Sequence, residues 1–368
     1  MKQLTSFSVF AVVLLLHSPL VAQEADPGTV RIQGVPLEDV VPSGGDFPTE
    51  NLVDYREEMR RLIQSLTTFA HRLNPQFKVL MRNGLDLMVK IDPVNEDLIL
   101  PATTFSRTID GVFLDGLNFV EMTFGTPPNP DLQTNRLAML ERARKAGLKV
   151  FVMDYTTDPE KVDQSWAKNS EQGFVSLAAH QPHSQMDSLP PYPTRPFGEN
   201  PQNIISLDNV KNFSYIGNSA AFGRQDEFAM KMHDTNHDMI FVSVFHGRSP
   251  LSRRTIETLK YKKLGSRRLV MAVIDIGSAA SYKYYWQDDW QEGYPSFISA
   301  PSYSDPDKYH VEYWQPEWRD LITGTPNSFV YGLIAQGYDG VLLEGSSAYR
   351  YFENPDAEKE EAELLQSQ

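Results

Sequence analysis

The chain has 368 residues, no cysteine and a formal net charge of -14, with 34 Lys and Arg against 48 Asp and Glu. That balance argues against nucleic acid or an anionic membrane surface as partner, since both require a basic face. The missing cysteine rules out disulfides, thiolate metal sites and a lipoprotein anchor.

Lys2, the apolar run 9–16 and Leu20-Val21-Ala22 before Gln23 form the pattern of a secretory signal peptide cut near Ala22. The run is too short to cross a bilayer core of about 30 Å. Residues 1–22 are therefore expected to be removed, leaving a secreted or periplasmic protein with no stable membrane anchor. Residues 23–48 are rich in Pro, Gly, Asp and Val without helical period and read as a linker. From 51 to 73, Leu52, Met59, Leu62, Ile63, Leu66 and Phe69 recur at the spacing of an amphipathic helix.

Apolar runs then predict strands at 77–81, 111–114, 149–153, 174–177, 239–245, 269–276, 310–314 and 340–343. Helical patterns fall between several of them, at 135–146, 226–233, 252–262 and 318–336. Strand alternating with helix in this way predicts an α/β fold, a single (β/α)8 TIM barrel over 49–354. A Pro-rich insertion, 181–203, follows the fourth predicted strand and is expected to act as a lid over a pocket. Residues 355–368 read as an acidic C-terminal tail.

In a barrel of parallel strands the site lies at the C-terminal strand ends. Glycoside hydrolysis needs two carboxyl groups there, one acid and one base or nucleophile, and Glu344 and Asp154 are the candidate catalytic carboxylates. Arg82, Asn83, Asp115 and Tyr155 follow the first three strands as candidate substrate-binding residues. Ser243 and His246 lie at the end of the fifth run, and Ser278 follows the sixth. Asp275 lies three residues before Ser278, and on an extended strand it is expected to face away from the pocket. Tyr282, Trp286, Trp314 and Tyr349 crowd the last strand ends, and flat apolar faces with polar rims are what sugar rings stack on. His246 is the one histidine placed to activate Ser278, but no G-x-S-x-G elbow is present, so a serine hydrolase is set aside. His180, His183, His233, His237 and His310 lack metal-ligand spacing, so no metal or cofactor is expected.

Ile274–Trp286, IDIGSAASYKYYW, and Asp339–Glu353, DGVLLEGSSAYRYFE, resemble the SIGEAEDYRYYW and DGVYLDIVDAYEYF signatures of the bacterial branch of glycoside hydrolase family 114, the endo-α-1,4-polygalactosaminidase-like TIM barrels. The likeness continues at 55–60, Asn83-Gly84, 109–112, Asp154-Tyr155, Asn212-Phe213, 235–238 and 313–318. The resemblance implies a barrel acting on an α-linked amino-sugar polysaccharide, a cationic polymer suited to the acidic chain. Glu344 stands where the family has an Asp, and Asp154 matches the Asp of the family's VVDY. The family acids are replaced by Ser243, Ser278, Ala280, Ser281 and Ser347, and a serine neither carries charge nor titrates near neutral pH. A catalytically inactive carbohydrate-binding barrel, a pseudoenzyme, is therefore the alternative expectation.

Overall fold

A computed structural model describes residues 53–356 apart from 93–94, 96–97 and 304. The expected signal peptide, the linker and all but the first two residues of the acidic tail lie outside the described residues.

The strands of the main sheet are β1 (Lys78–Arg82), β2 (Gly111–Asp115), β3 (Lys149–Tyr155), β4 (Val175–Ala179), β5 (Phe213–Ile216), β6 (Met239–Ser243), β7 (Leu269–Asp275) and β8 (Gly340–Glu344). Their order is β4-β3-β2-β1-β8-β7-β6-β5, and every neighbouring pair is parallel. That is the cyclic order of a (β/α)8 barrel, with one seam, between β4 and β5, that no hydrogen-bonded ladder closes among the described residues.

The helices begin where the sequence offers caps. In α1 (Tyr55–Leu73) the Asp54 side chain accepts from the Glu57 N–H, Glu57 and Glu58 occupy the first turn, and His71 and Arg72 the last. In α2 (Pro130–Lys145) and α3 (Pro159–Glu171) an Asn or Asp cap is followed by proline, whose missing N–H costs nothing at the first helical position. Ser252 caps α5 (Arg253–Leu259), which follows α4 (Gln225–His233). The predicted span 318–336 is instead two helices, α6 (Pro316–Ile322) and α7 (Phe329–Gln336), because Gly324 (φ 94°) and Pro326 interrupt it. Helix α8 (Tyr349–Glu353) closes the barrel chain. No helix among the described residues is long and apolar enough to cross a membrane.

One predicted strand is corrected. The fifth barrel strand is Phe213–Ile216, not 239–245, and 310–314 does not join the barrel. Lys308–Val311 pairs antiparallel with Ser278–Ala280 and Ile298–Pro301 in a small sheet at the C-terminal end of β7. The alternating composition of His310-Val311-Glu312-Tyr313 fits a half-exposed antiparallel strand, whereas all four residues of the short Phe213–Ile216 are buried, as a parallel strand covered on both faces requires.

The barrel interior is filled by side chains. Leu80, Met153, Met239, Met271 and Leu342 are fully buried there around an aromatic group of Phe113, Phe151, Phe213 and Phe241. Five of these ring pairs meet edge to face with centroids 5.3 to 5.7 Å apart, each worth about 0.5–1.5 kcal/mol beyond burial. A second core lies between the sheet and the helices, where α1 buries Met59, Leu62, Ile63 and Leu66.

Candidate active site at the barrel mouth

Side chains alternate faces along a strand, so the position two residues after each interior apolar group also faces inward. Applied to Leu80, Phe113, Met153, Phe213, Phe241, Val273 and Leu342, this rule selects Arg82, Asp115, Tyr155, Tyr215, Ser243, Asp275 and Glu344. The strand ends thus place a polar layer directly above the aromatic plug.

Arg82, whose side chain is 3% exposed, organises this layer. It holds Asp115 through two parallel hydrogen bonds of 2.7 and 2.8 Å, ion-pairs with Glu344 Oε1, and donates to the Tyr215 hydroxyl at 3.0 Å. The Tyr155 hydroxyl donates to Asp115 at 2.8 Å and the Tyr215 hydroxyl to Glu344 Oε1 at 2.9 Å. Asn83, with φ 55°, exchanges hydrogen bonds with Asp115 through both its amide atoms. Burial opposes ionisation of Asp115, but the Arg82 cation outweighs it and holds the carboxyl below the usual range. Burial, followed by the neighbouring carboxylate, pushes the Tyr155 and Tyr215 hydroxyls well up, so both remain neutral donors.

Asp275 and Glu344 are register partners on β7 and β8. Asp275 accepts from the Gly277 and Ser278 N–H groups at 2.9 and 3.0 Å, from the Ser278 hydroxyl at 2.6 Å and from Lys308 at 2.9 Å. Burial again opposes its charge and Lys308 overcomes it, holding Asp275 below the usual range and itself raised by Asp275. Glycine is needed in both turns that leave these strands. A Cβ on Gly277 would collide with the Gly345 carbonyl, and one on Gly345, at φ +73°, with Asp275 Oδ1.

Of these groups, Tyr215, Asp275, Lys308 and Glu344 line a pocket of about 280 Å3 with Ser243, Ser278, Tyr282, Tyr284, Tyr285 and His183, while Arg82, Asp115 and Tyr155 lie behind Glu344 and Tyr215 in the hydrogen-bonded layer. Glu344 uses only Oε1 toward the protein, and Oε2 has no hydrogen-bond partner among the described residues. His183 comes from the Pro-rich segment; its Nδ1 lies 2.8 and 3.0 Å from the two Glu121 oxygens, which leaves Nε2 for the pocket.

The structure therefore brings Arg82, Asn83, Asp115, Tyr155, Ser243, Ser278, Tyr282 and Glu344 together. Asp154 is not among them: on β3 it faces outward, fully buried, accepting from the Asn118 and Phe119 N–H groups and from the side chains of Asn118, Ser165 and Asn169. Trp314 packs with Tyr55 and Phe352, and the buried Tyr349 donates to Asp86. Trp286 stacks on Tyr309, and His246 Nδ1 pairs with Ser219. Asp275 faces the pocket, contrary to the expectation, because β7 ends at Asp275 and the Ile276-Gly277 turn brings Ser278 back onto it. Tyr215, Lys308, His183 and Glu121 were missed as well. Tyr215 alone carried a signal, the two-residue step after Phe213.

No protein-family model matches the chain. An uncharacterised protein of Methanocaldococcus jannaschii is 26% identical over 155 residues, covering 41% of this chain and 43% of that protein. Uncharacterised proteins of Deinococcus radiodurans (32% over 87 residues, 24% and 27% of the two chains) and Thermotoga maritima (28% over 82 residues, 22% and 24%) also match. The chain thus spans less than half the length of these curated relatives. Among solved structures, a mutant tryptophan synthase alpha-subunit of Pyrococcus furiosus aligns at TM-score 0.33 and 10% identity, over 78% of this chain and 95% of that one. A hyperthermophilic endo-beta-1,4-glucanase in complex with substrate aligns at TM-score 0.24 and 9% identity, over 75% and 91%.

Proposed function

We propose that the barrel mouth binds a saccharide chain and that Glu344 hydrolyses an α-linked amino-sugar polysaccharide, in a secreted or periplasmic protein of the family 114 type. The observation that carries this reading is the half-engaged Glu344. Arg82 and Tyr215 fix Oε1, so the carboxylate is oriented, while Oε2 is left for a ligand in the pocket. Its register partner Asp275 stands on the neighbouring strand and lines the same pocket, so two carboxylates share one site. Tyr282, Tyr284 and Tyr285 offer ring faces to a sugar, and the carboxylates suit a cationic amine.

Lys308 and Ser278 hold Asp275 ionised, so it does not serve as proton donor. His183, steadied by Glu121, also lines the pocket and presents a ring nitrogen through which a proton can pass to the leaving oxygen. The saturation of Asp275 also favours the second reading, a barrel that binds the same polymer without cutting it.

Reducing-end release from partially deacetylated galactosamine and glucosamine polymers tests the two. Hydrolysis by the parent chain that falls about 100-fold or more in Glu344→Gln is the expected result, in line with loss of a carboxyl engaged in the chemistry. Undiminished activity in that variant sinks the assignment of Glu344. Binding without release by the parent establishes the second reading.

A further inference from the structure

The two-residue step that builds the barrel mouth also runs toward the other end of each strand. From the interior groups Leu80, Phe113 and Phe151 it reaches Lys78, Gly111 and Lys149, at the N-terminal ends of the adjacent strands β1, β2 and β3. The closed end of the barrel thus carries two inward lysines with a glycine between them. A cavity of about 370 Å3 opens there, at the opposite end from the mouth, and Lys78, Arg107, Asp110, Lys149 and Asp208 are its charged walls.

The cations are close enough to share one ligand. Neighbouring strands lie about 4.8 Å apart, so the Lys78 and Lys149 backbones are separated by roughly two such steps, and each side chain reaches about 6 Å. Both flank Asp110: the Lys78 ammonium is 3.4 Å from its Oδ1, and the Lys149 N–H donates to its carbonyl at 3.2 Å. Arg107 stands three residues before Asp110, exposed, and its side chain has no partner among the described residues.

Their charges are not balanced. Lys78 cancels Asp110. Lys149, half-buried, has no carboxylate in ion-pair reach among the described residues and donates only to the Asp208 carbonyl, at 3.4 Å. Burial lowers its ammonium, and Asp208 and Asp238 offset only part of that effect. The Asp208 carboxylate is exposed and accepts from the Ser206 hydroxyl at 3.3 Å. Lys149 and Arg107 against Asp208 leave one positive charge at the cavity, in a chain whose formal net charge is -14. A partly desolvated cation without a counter-ion is stabilised by an anion that pairs with it. Tetrahedral oxyanions suit this pair of side chains, Arg giving two parallel N–H donors and Lys a point charge.

We propose that this cavity is a second binding site, for the phosphate or sulfate group of a small ester, with Lys149 and Arg107 as donors to the oxyanion and Lys78 beside them. Its 370 Å3 lies within the range of small-molecule sites, about 300–1,000 Å3, and leaves room for the organic part. The site does not depend on the chemistry at the mouth.

The full chain is titrated by calorimetry with glucose 6-phosphate, with glucose 6-sulfate and with glucose, which lacks the charge. At least one ester is expected to saturate at one site, at least tenfold tighter than glucose, and to bind at least tenfold weaker to Lys149→Met. Whichever ester binds tighter identifies the oxyanion. The proposal is overturned if neither ester saturates, if glucose binds as tightly, or if Lys149→Met binds as the parent does. Ester binding that is lost in Glu344→Gln belongs to the mouth and overturns it as well. Should Lys149→Met fail to fold, Arg107→Met, at an exposed position, decides: binding weakened tenfold supports the site, and binding at parental strength refutes it.

Discussion

Asp154 and Asp275 show how one residue's direction decides its role. Asp154 ends an apolar run before a tyrosine and reads as a pocket carboxylate, but β3 remains extended through Tyr155, so inward Met153 and Tyr155 leave Asp154 outward. There it accepts five hydrogen bonds, from two backbone N–H groups and the side chains of Asn118, Ser165 and Asn169. Asp154→Ala is expected to cost about 3 kcal/mol or more by stranding buried donors, measured by urea unfolding, while activity per folded molecule is kept. A loss of activity at full stability contradicts this assignment.

Acid sensitivity also belongs to the residue scale. Asp115 and Asp275 have depressed carboxyl pKa values when folded. The stability they contribute is whole above the unfolded value of about 3.9 and is lost as pH falls below it through their folded values. His237 acts higher in the scale. The unfolded ring binds a proton near about 6.5, the folded one near about 3, so across that window the unfolded state holds more protons. Stability then falls as pH falls, by up to about 1.4 kcal/mol per unit from this group. Denaturant unfolding at pH 7 and pH 5 should show a smaller loss in His237→Phe than in the parent, and equal losses contradict the assignment. Arg268 is the charged group that lowers this ring; the adjacent Asp238 is paired with Lys262, and Asp234 with Lys263.

At the scale of elements, the Pro-rich segment is the informative one. Its position after the fourth strand was legible from the prolines, and it does bring His183 to the mouth pocket, while its stretch from Leu189 to Glu199 walls a cavity beside β4 and β5. Its far end is held by a fully buried ion pair, Lys262 to Asp238 at 2.6 Å, with Lys262 also donating to the Asn200 and Gln202 carbonyls. Removing one partner of such a pair leaves a buried charge, so Asp238→Ala is expected to cost about 3–5 kcal/mol. Limited proteolysis should then cut within 181–212 first. An intact segment at parental stability argues that the ion pair is not its anchor.

The described residues form a barrel with one unlaced seam. Strands β1 and β8 have partners on both sides, whereas β4 and β5 each have a ladder on one side only. Amide exchange is therefore expected to be fastest among the sheet strands at β4 and β5 and slowest at β1 and β8. Uniform protection around the barrel would mean that the seam is closed in solution.

The alternation of apolar runs with helical patterns was enough to determine the (β/α)8 class, since an apolar strand buried on both faces and followed by a capped helix has few other ways to pack. The same patterning made Arg82, Asp115 and Glu344 legible, because strand-end position is a local property. Sequence could not separate Phe213–Ile216 from 310–314, or the inward from the outward aspartate, since those depend on where a strand stops and which neighbour it meets. Only the tertiary structure decided that Arg82 joins two carboxylates, that Lys308 reaches Asp275 from 33 positions away, and that the Pro-rich segment walls a cavity beside β4 and β5, because each arises from chain segments brought together by packing.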